Sequence, residues 1–179
     1  MERIARFFKV SENRFKEDMK DFEAERDSSE IYRELILPKR ATKGSAGYDF
    51  FSPVDIELAP GESIKIPTGV RAKMAEGWVL MIFPRSSLGF KYKLQLNNTV
   101  GIVDSDYFYS DNEGHIFIKI INDNNEGKKV KIGKNTAFAQ GIFLPFGVTE
   151  DDEADGERNG GFGSTDRQHQ IREVKADAF

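Results

Sequence analysis

The chain is expected to be all-β, a distorted jelly-roll barrel, and three observations carry that expectation. After Ile31, short runs rich in β-branched and aromatic residues follow one another: YRELILP, YDFFSPVDIEL, SIKIPTGVRAKM, WVLMIFP, KLQLNNTVGIV, HIFIKIIND, KVKIG and FAQGIFLPF. Turn signals such as Pro60-Gly61 and Asn125-Glu126-Gly127 punctuate them, at the spacing of about 8–12 residues typical of sandwiches and barrels. No long helical period interrupts the series.

Before the β-rich part, Arg3 to Val10 reads as a short strand. Ser11 to Phe22 reads as a helix, with Phe15, Met19 and Phe22 at helical spacing and Ser11 as its N-cap. Glu23 to Glu30 is polar and reads as a loop. This segment carries no identifiable chemistry and is expected to pack against the main domain. The acidic stretch Thr149 to Gly156 reads as a mobile linker. Beyond it, residues 158–166 form a glycine-rich segment whose amides and hydroxyls could approach phosphate oxygens. Residues after Arg167 read as a disordered end. The expected organisation is an N-terminal strand and helix extension (1–30), a β domain (31–148), and an acidic linker with a flexible C-terminal arm (149–179).

With 179 residues there is room for one domain with a real core. A net charge of -4 offers no electrostatic footprint for nucleic acid, so no nucleic-acid partner is expected. There are no cysteines, which excludes disulfides and thiolate-bound zinc. His115 and His169 are too few and too far apart for a histidine-built metal site, so any metal would be oxygen-ligated. No apolar run reaches the roughly 18 residues of a membrane span and no signal-peptide core opens the chain. A cytoplasmic protein without a membrane partner is therefore expected.

Asn97 to Tyr107 (NNTVGIVDSDY) is the most informative stretch. It reads as a tight β-hairpin presenting main-chain amides, a carboxylate and an aromatic face. Asp104, preceded by apolar residues, is a candidate general base. A turn with solvated acids is the plainer alternative.

Five segments stand in fixed order: Ala46-Gly47-Tyr48-Asp49-Phe50, Pro84-Arg85-Ser86-Ser87-Leu88-Gly89, Asn98 to Tyr107, Ala139-Gln140-Gly141, and Arg158 to Thr165. Together they closely resemble the five motifs of the trimeric dUTP diphosphatases (dUTPases), over residues 31–166. The resemblance implies a dUTPase-like jelly roll that cleaves dUTP to dUMP and diphosphate by water attack on the α-phosphorus. That reaction keeps uracil out of DNA and supplies dUMP for thymidylate synthesis.

By the same resemblance, Asp104 orients and deprotonates the water. Tyr107 packs on the deoxyribose and leaves no room for a 2′-hydroxyl. Uracil pairs with the main chain around Gly101, Ile102 and Val103, with Asn98 and Phe117 completing its pocket. Arg85, Ser86 and Ser87 bind phosphate, as does Gln140. On the arm, Arg158, Gly163, Ser164 and Thr165 clamp the γ-phosphate and Phe162 stacks over uracil. Asp49 helps hold Mg²⁺ through water. A homotrimer is implied, with each site shared among three subunits. Read as residues alone, Arg85 could be an ion-pair partner, Gln140 a satisfied strand amide and Asp49 an Asx-turn.

Several positions depart from the family pattern. Phe108-Tyr109 replaces arginine-glycine, and Ser110 to Gly114 lengthens the following turn. Ala137 stands where arginine is common, and Asp166 where glycine is. The related fold of dCTP deaminase would need a glutamate on the strand that here reads HIFIKII, where Lys119 stands instead. A binding module of dUTPase fold that engages a regulatory protein partner is the alternative of a different class. The lengthened loop and the N-terminal helix are where such a partner would dock.

Overall fold

Alternation of apolar and polar residues decides most strands. Ile56-Glu57-Leu58 and Val130-Lys131-Ile132 each bury their outer residues and expose the middle one, and the two segments pair antiparallel. This is the period-2 signature of a strand with one face on a core. The computed structural model describes residues 2–20, 22 and 26–156.

In chain order the strands are β1 (Ala5–Lys9), β2 (Lys39–Arg40), β3 (Tyr48–Phe51), β4 (Ile56–Leu58), β5 (Ser63–Pro67) and β6 (Val70–Met74). There follow β7 (Trp78–Pro84), β8 (Leu94–Leu96), β9 (Gly101–Val103), β10 (Phe117–Asn122), β11 (Val130–Ile132) and β12 (Ala137–Pro145). Helices are α1 (Glu12–Asp18), α2 (Ser28–Glu34), α3 (Ser86–Tyr92) and a 3₁₀ turn (Ser105–Tyr109). The largest sheet has the order β2-β3-β12-β7-β9, and a second has the order β5-β10-β8. Two-stranded ladders join β1 to β6 and β11 to β4. Every strand from β3 to β12 sends residues into one core, with Phe50, Ile66, Leu80, Ile118 and Phe138 among its most buried members. The jelly-roll expectation stands.

The N-terminal segment is built into this fold. β1 pairs with β6 in register from Ala5↔Met74 to Lys9↔Val70. Ser11 caps α1 by accepting from the Arg14 N–H at 3.1 Å. Val10, Phe15, Met19 and Ile31 then bury a second, smaller core. It closes over Gly69, whose φ of +71° suits glycine, and a Cβ there would strike the side chains of Leu35 and Phe15.

Two local expectations change. The run from Tyr32, expected as a strand, begins within α2, and Ser28–Glu30, expected as loop, also belongs to that helix. Asp27 caps it through the Ser29 N–H at 3.1 Å, and Ile31 turns into the small core. The capping signal of Asp27 followed by Glu30 was present in the sequence. The tight hairpin over Asn97–Tyr107 is not formed either. β8 pairs with β10 and β9 with β7, so the intervening residues carry the chain from one sheet to the other. Burial explains this: Leu94 and Leu96 are buried on one sheet, Gly101 and Val103 on the other.

Candidate active site

The corner between β8 and β9 shapes a cavity of about 290 Å³. Asn97 donates its N–H to the Lys119 carbonyl at 3.0 Å, and Thr99 turns back on Leu96 with φ +65°. Asn98, Gly101, Ile102, Val103, Phe117 and Lys119 line the space. The structure therefore brings together the five residues expected to form a base pocket. β9 is the edge strand of its sheet, so one side of its main chain takes no part in a ladder. An apolar cleft bordered by such fixed donors and acceptors suits a flat ligand with a polar edge. No carboxylate is among the residues lining it, and Lys119 stands where a deaminase would need an acid.

Asp104 follows β9 directly, is half-buried, and its carbonyl accepts from the Tyr107 N–H at 3.2 Å. Tyr107, in the 3₁₀ turn, is only 3% exposed. Its hydroxyl donates to the His115 carbonyl at 2.7 Å and accepts from the Asn112 amide at 2.8 Å.

The residues expected to bind phosphate gather elsewhere. Arg85 occupies the N-cap position of α3 at the end of β7, and its Nε lies 3.4 Å from Asp49 Oδ1 on β3. Gln140 sits opposite both Asp49 and Phe83 in the ladders, and its amide donates to the Pro84 carbonyl at 3.3 Å. Ser86 and Ser87 open α3 and are exposed. Asp49 is thus in a strand rather than an Asx-turn, and it is paired with a half-exposed arginine.

These two groups lie at opposite ends of β7. Leu80 pairs with Val103, so Asp104 falls level with Val79, six positions from Arg85. At about 3.3 Å per residue that is roughly 20 Å along the strand. Within one chain Asp104 and Arg85 therefore stand far apart. Arg158, Phe162, Gly163, Ser164 and Thr165 lie outside the described residues.

Sequence reasoning did not single out the pair of buried His115 and half-buried Asp18 beside the pocket. His115 Nδ1 lies 2.6 Å from Asp18 Oδ2, and its Nε2 accepts from the Gly69 N–H at 2.7 Å. That contact fixes the neutral tautomer with the proton on Nδ1. Burial holds the imidazole below the usual histidine range, against the opposing pull of Asp18. His115 was visible as one of only two histidines, but its partner lies 97 residues away and no local pattern joins them.

Fold and site together define a jelly-roll β-barrel with an apolar pocket at the free edge of β9 and an arginine–carboxylate pair apart from it. The chain belongs to the dUTPase family, whose model matches residues 33–166. The deoxyuridine 5′-triphosphate nucleotidohydrolase of Lactococcus lactis is 46% identical over 134 residues, covering 73% of this chain and 88% of that protein. The crystal structure of dUTPase from Streptococcus mutans is 40% identical, with a TM-score of 0.58, and covers 65% of this chain and 91% of that one. A dUTPase from phage phi11 of S. aureus, described as coordinating a structural Mg(II) ion, shares the fold at 21% identity. Its TM-score is 0.59 and it covers 86% of this chain and 98% of that one.

Proposed function

We propose that this chain, a dUTP diphosphatase by family, hydrolyses dUTP to dUMP and diphosphate through a water activated by Asp104. The observation that carries this reading is the cavity at the free edge of β9, with Asp104 one residue beyond it. Uracil enters edge-on, pairing with the main chain of Gly101, Ile102 and Val103, with the Asn98 side chain and Phe117 around it. Cytosine presents an inverted donor pattern there and leaves groups unpaired. Asp104 accepts the water proton as the oxygen attacks the α-phosphorus, and diphosphate departs. Tyr107 lies against the sugar and disfavours ribose.

The distance between Asp104 and Arg85 supports a shared site. In a homotrimer, Arg85, Ser86, Ser87 and Gln140 of one subunit would meet the triphosphate lying in the pocket of another. Arg158, Phe162, Gly163 and Ser164 of the arm would close over it. Among the described residues no three acidic or histidine side chains converge as a metal cage. Mg²⁺ would be held by substrate phosphates and, through water, by Asp49. Bound there, Mg²⁺ would neutralise phosphate charge.

The test is diphosphate release from dUTP with Mg²⁺, run beside dCTP, dTTP and UTP. Release from dUTP alone, reduced by about 10²–10⁴-fold in Asp104→Asn, is the expected result. No release by folded protein would overturn hydrolysis and favour a binding module acting on a protein partner.

A further inference from the structure

Helix α1 grips the loop between the 3₁₀ turn and β10 at both of its ends. At the helix start, the Glu113 carboxylate accepts from the Ser11 N–H at 2.7 Å and the Ser11 hydroxyl at 2.6 Å. At its last residue, Asp18 accepts from His115 Nδ1 at 2.6 Å. Asp18 is itself held by the Arg14 guanidinium, at 3.0 Å from Nε and 2.6 Å from Nη2. The loop between these anchors is not a relaxed turn. Glu113 has φ +60° and Gly114 φ +67°, two successive left-handed residues. A non-glycine residue there is disfavoured, so Glu113 needs external contacts to stay put.

The gripped loop faces the pocket through two groups of His115. Its carbonyl accepts the Tyr107 hydroxyl, and its imidazole lies 4.5 Å, centroid to centroid, from the ring of Phe117, a pocket wall. Both α1 and most of its packing partner α2 precede the residues that match the family model, which begin at residue 33. The loop they hold contains Ser110 to Gly114, the turn expected to be longer than the family's. Helix and turn are therefore one device, locked together.

We propose that Asp18 and His115 are positioning residues for sugar discrimination, holding Tyr107 and Phe117 in place from outside the pocket. The inference rests on the reading of Tyr107 as the sugar contact. With Asp18 truncated, the imidazole loses the acceptor for its Nδ1–H and keeps the Gly69 N–H as its remaining hydrogen-bond partner, so His115 is held less firmly. Tyr107 follows through its hydroxyl, and the gap that excludes a 2′-hydroxyl widens. Misplacement of a positioning group by about 1 Å is enough to change rates by up to about 100-fold.

The experiment compares kcat/KM for dUTP with that for UTP in the full chain and in Asp18→Ala, Asp18→Asn and Tyr107→Ile. The ratio is unaffected by a loss of folded protein, which scales both substrates alike, so it separates positioning from stability. Asp18→Ala is expected to lower the dUTP:UTP ratio between about 10- and 100-fold. Asp18→Asn, whose amide oxygen still accepts from His115 Nδ1, is expected to restore most of it. An unchanged ratio in Asp18→Ala, with a lost ratio in Tyr107→Ile, would overturn the clamp and leave the sugar contact standing. An unchanged ratio in Tyr107→Ile would overturn the sugar contact and the clamp with it.

Discussion

His115 shows how one buried side chain couples two regions far apart in sequence. It is fully buried, and the charged groups around it are Asp18 and Glu113, which favour its protonation, and Arg14, which opposes it. Burial outweighs them and lowers its pKa. An imidazole whose folded pKa lies below its unfolded value of about 6.5 stabilises the fold fully above that value. The contribution is lost as pH falls from there towards the folded pKa, because the unfolded chain binds the proton first. Thermal midpoints are expected to decline as pH drops from 7 to about 5.5, above the range in which ordinary carboxylates titrate. His115→Asn should flatten that decline, and equal slopes in the two proteins would contradict the assignment. Gly114, next to it, has no room for a side chain: a Cβ would lie 2.7 Å from Phe108 Cα and from the Tyr107 carbonyl oxygen.

Among the elements, α1 is short, with seven residues, and would not persist alone. Its stability comes from the Ser11 cap, the apolar face of Phe15 and Met19, and the loop it holds. Ser11→Ala removes the cap and a hydroxyl donor to Glu113, and should cost about 1–2 kcal/mol in urea unfolding. Glu113→Gln should cost less in the Ser11→Ala background than in the parent, since the two share one interaction. Strict additivity would show that the contact contributes nothing. Ser11, Phe15 and Met19 were legible in sequence because cap and stripe are local patterns. Their attachment to Glu113 and His115 was not, because those contacts span about 100 positions.

For the whole molecule, the decisive feature is the placing of Asp104 and Arg85 at opposite ends of β7. The shared-site reading predicts that two inactive chains complement each other. Asp104→Asn and Arg85→Ala, unfolded together and refolded as an equal mixture, should regain dUTP hydrolysis. About a quarter of the sites would then draw an intact Asp104 from one chain and an intact Arg85 from its neighbour, under random assembly. No recovery from a mixed trimer would mean that one chain supplies both groups. The same layout explains why Asp49, Arg85 and Gln140 converge within a single chain: β3, β12 and β7 are adjacent in one sheet, and these residues share its end.

The fold class, most of the strands, the first helix and the stretch that lines the cavity were legible in the chain's own residues. Each of these is written in a local pattern: period-2 alternation, a cap before an apolar stripe, or a contiguous run from Asn98 to Val103. Tertiary structure alone decided that β8 and β9 part company instead of forming a hairpin, since each strand goes where its buried residues find a core. It also decided the pairing of Asp18 with His115 and the distance between Asp104 and Arg85. Those depend on which strands become neighbours and in what register, a choice made by the burial of the whole chain rather than by any window of it.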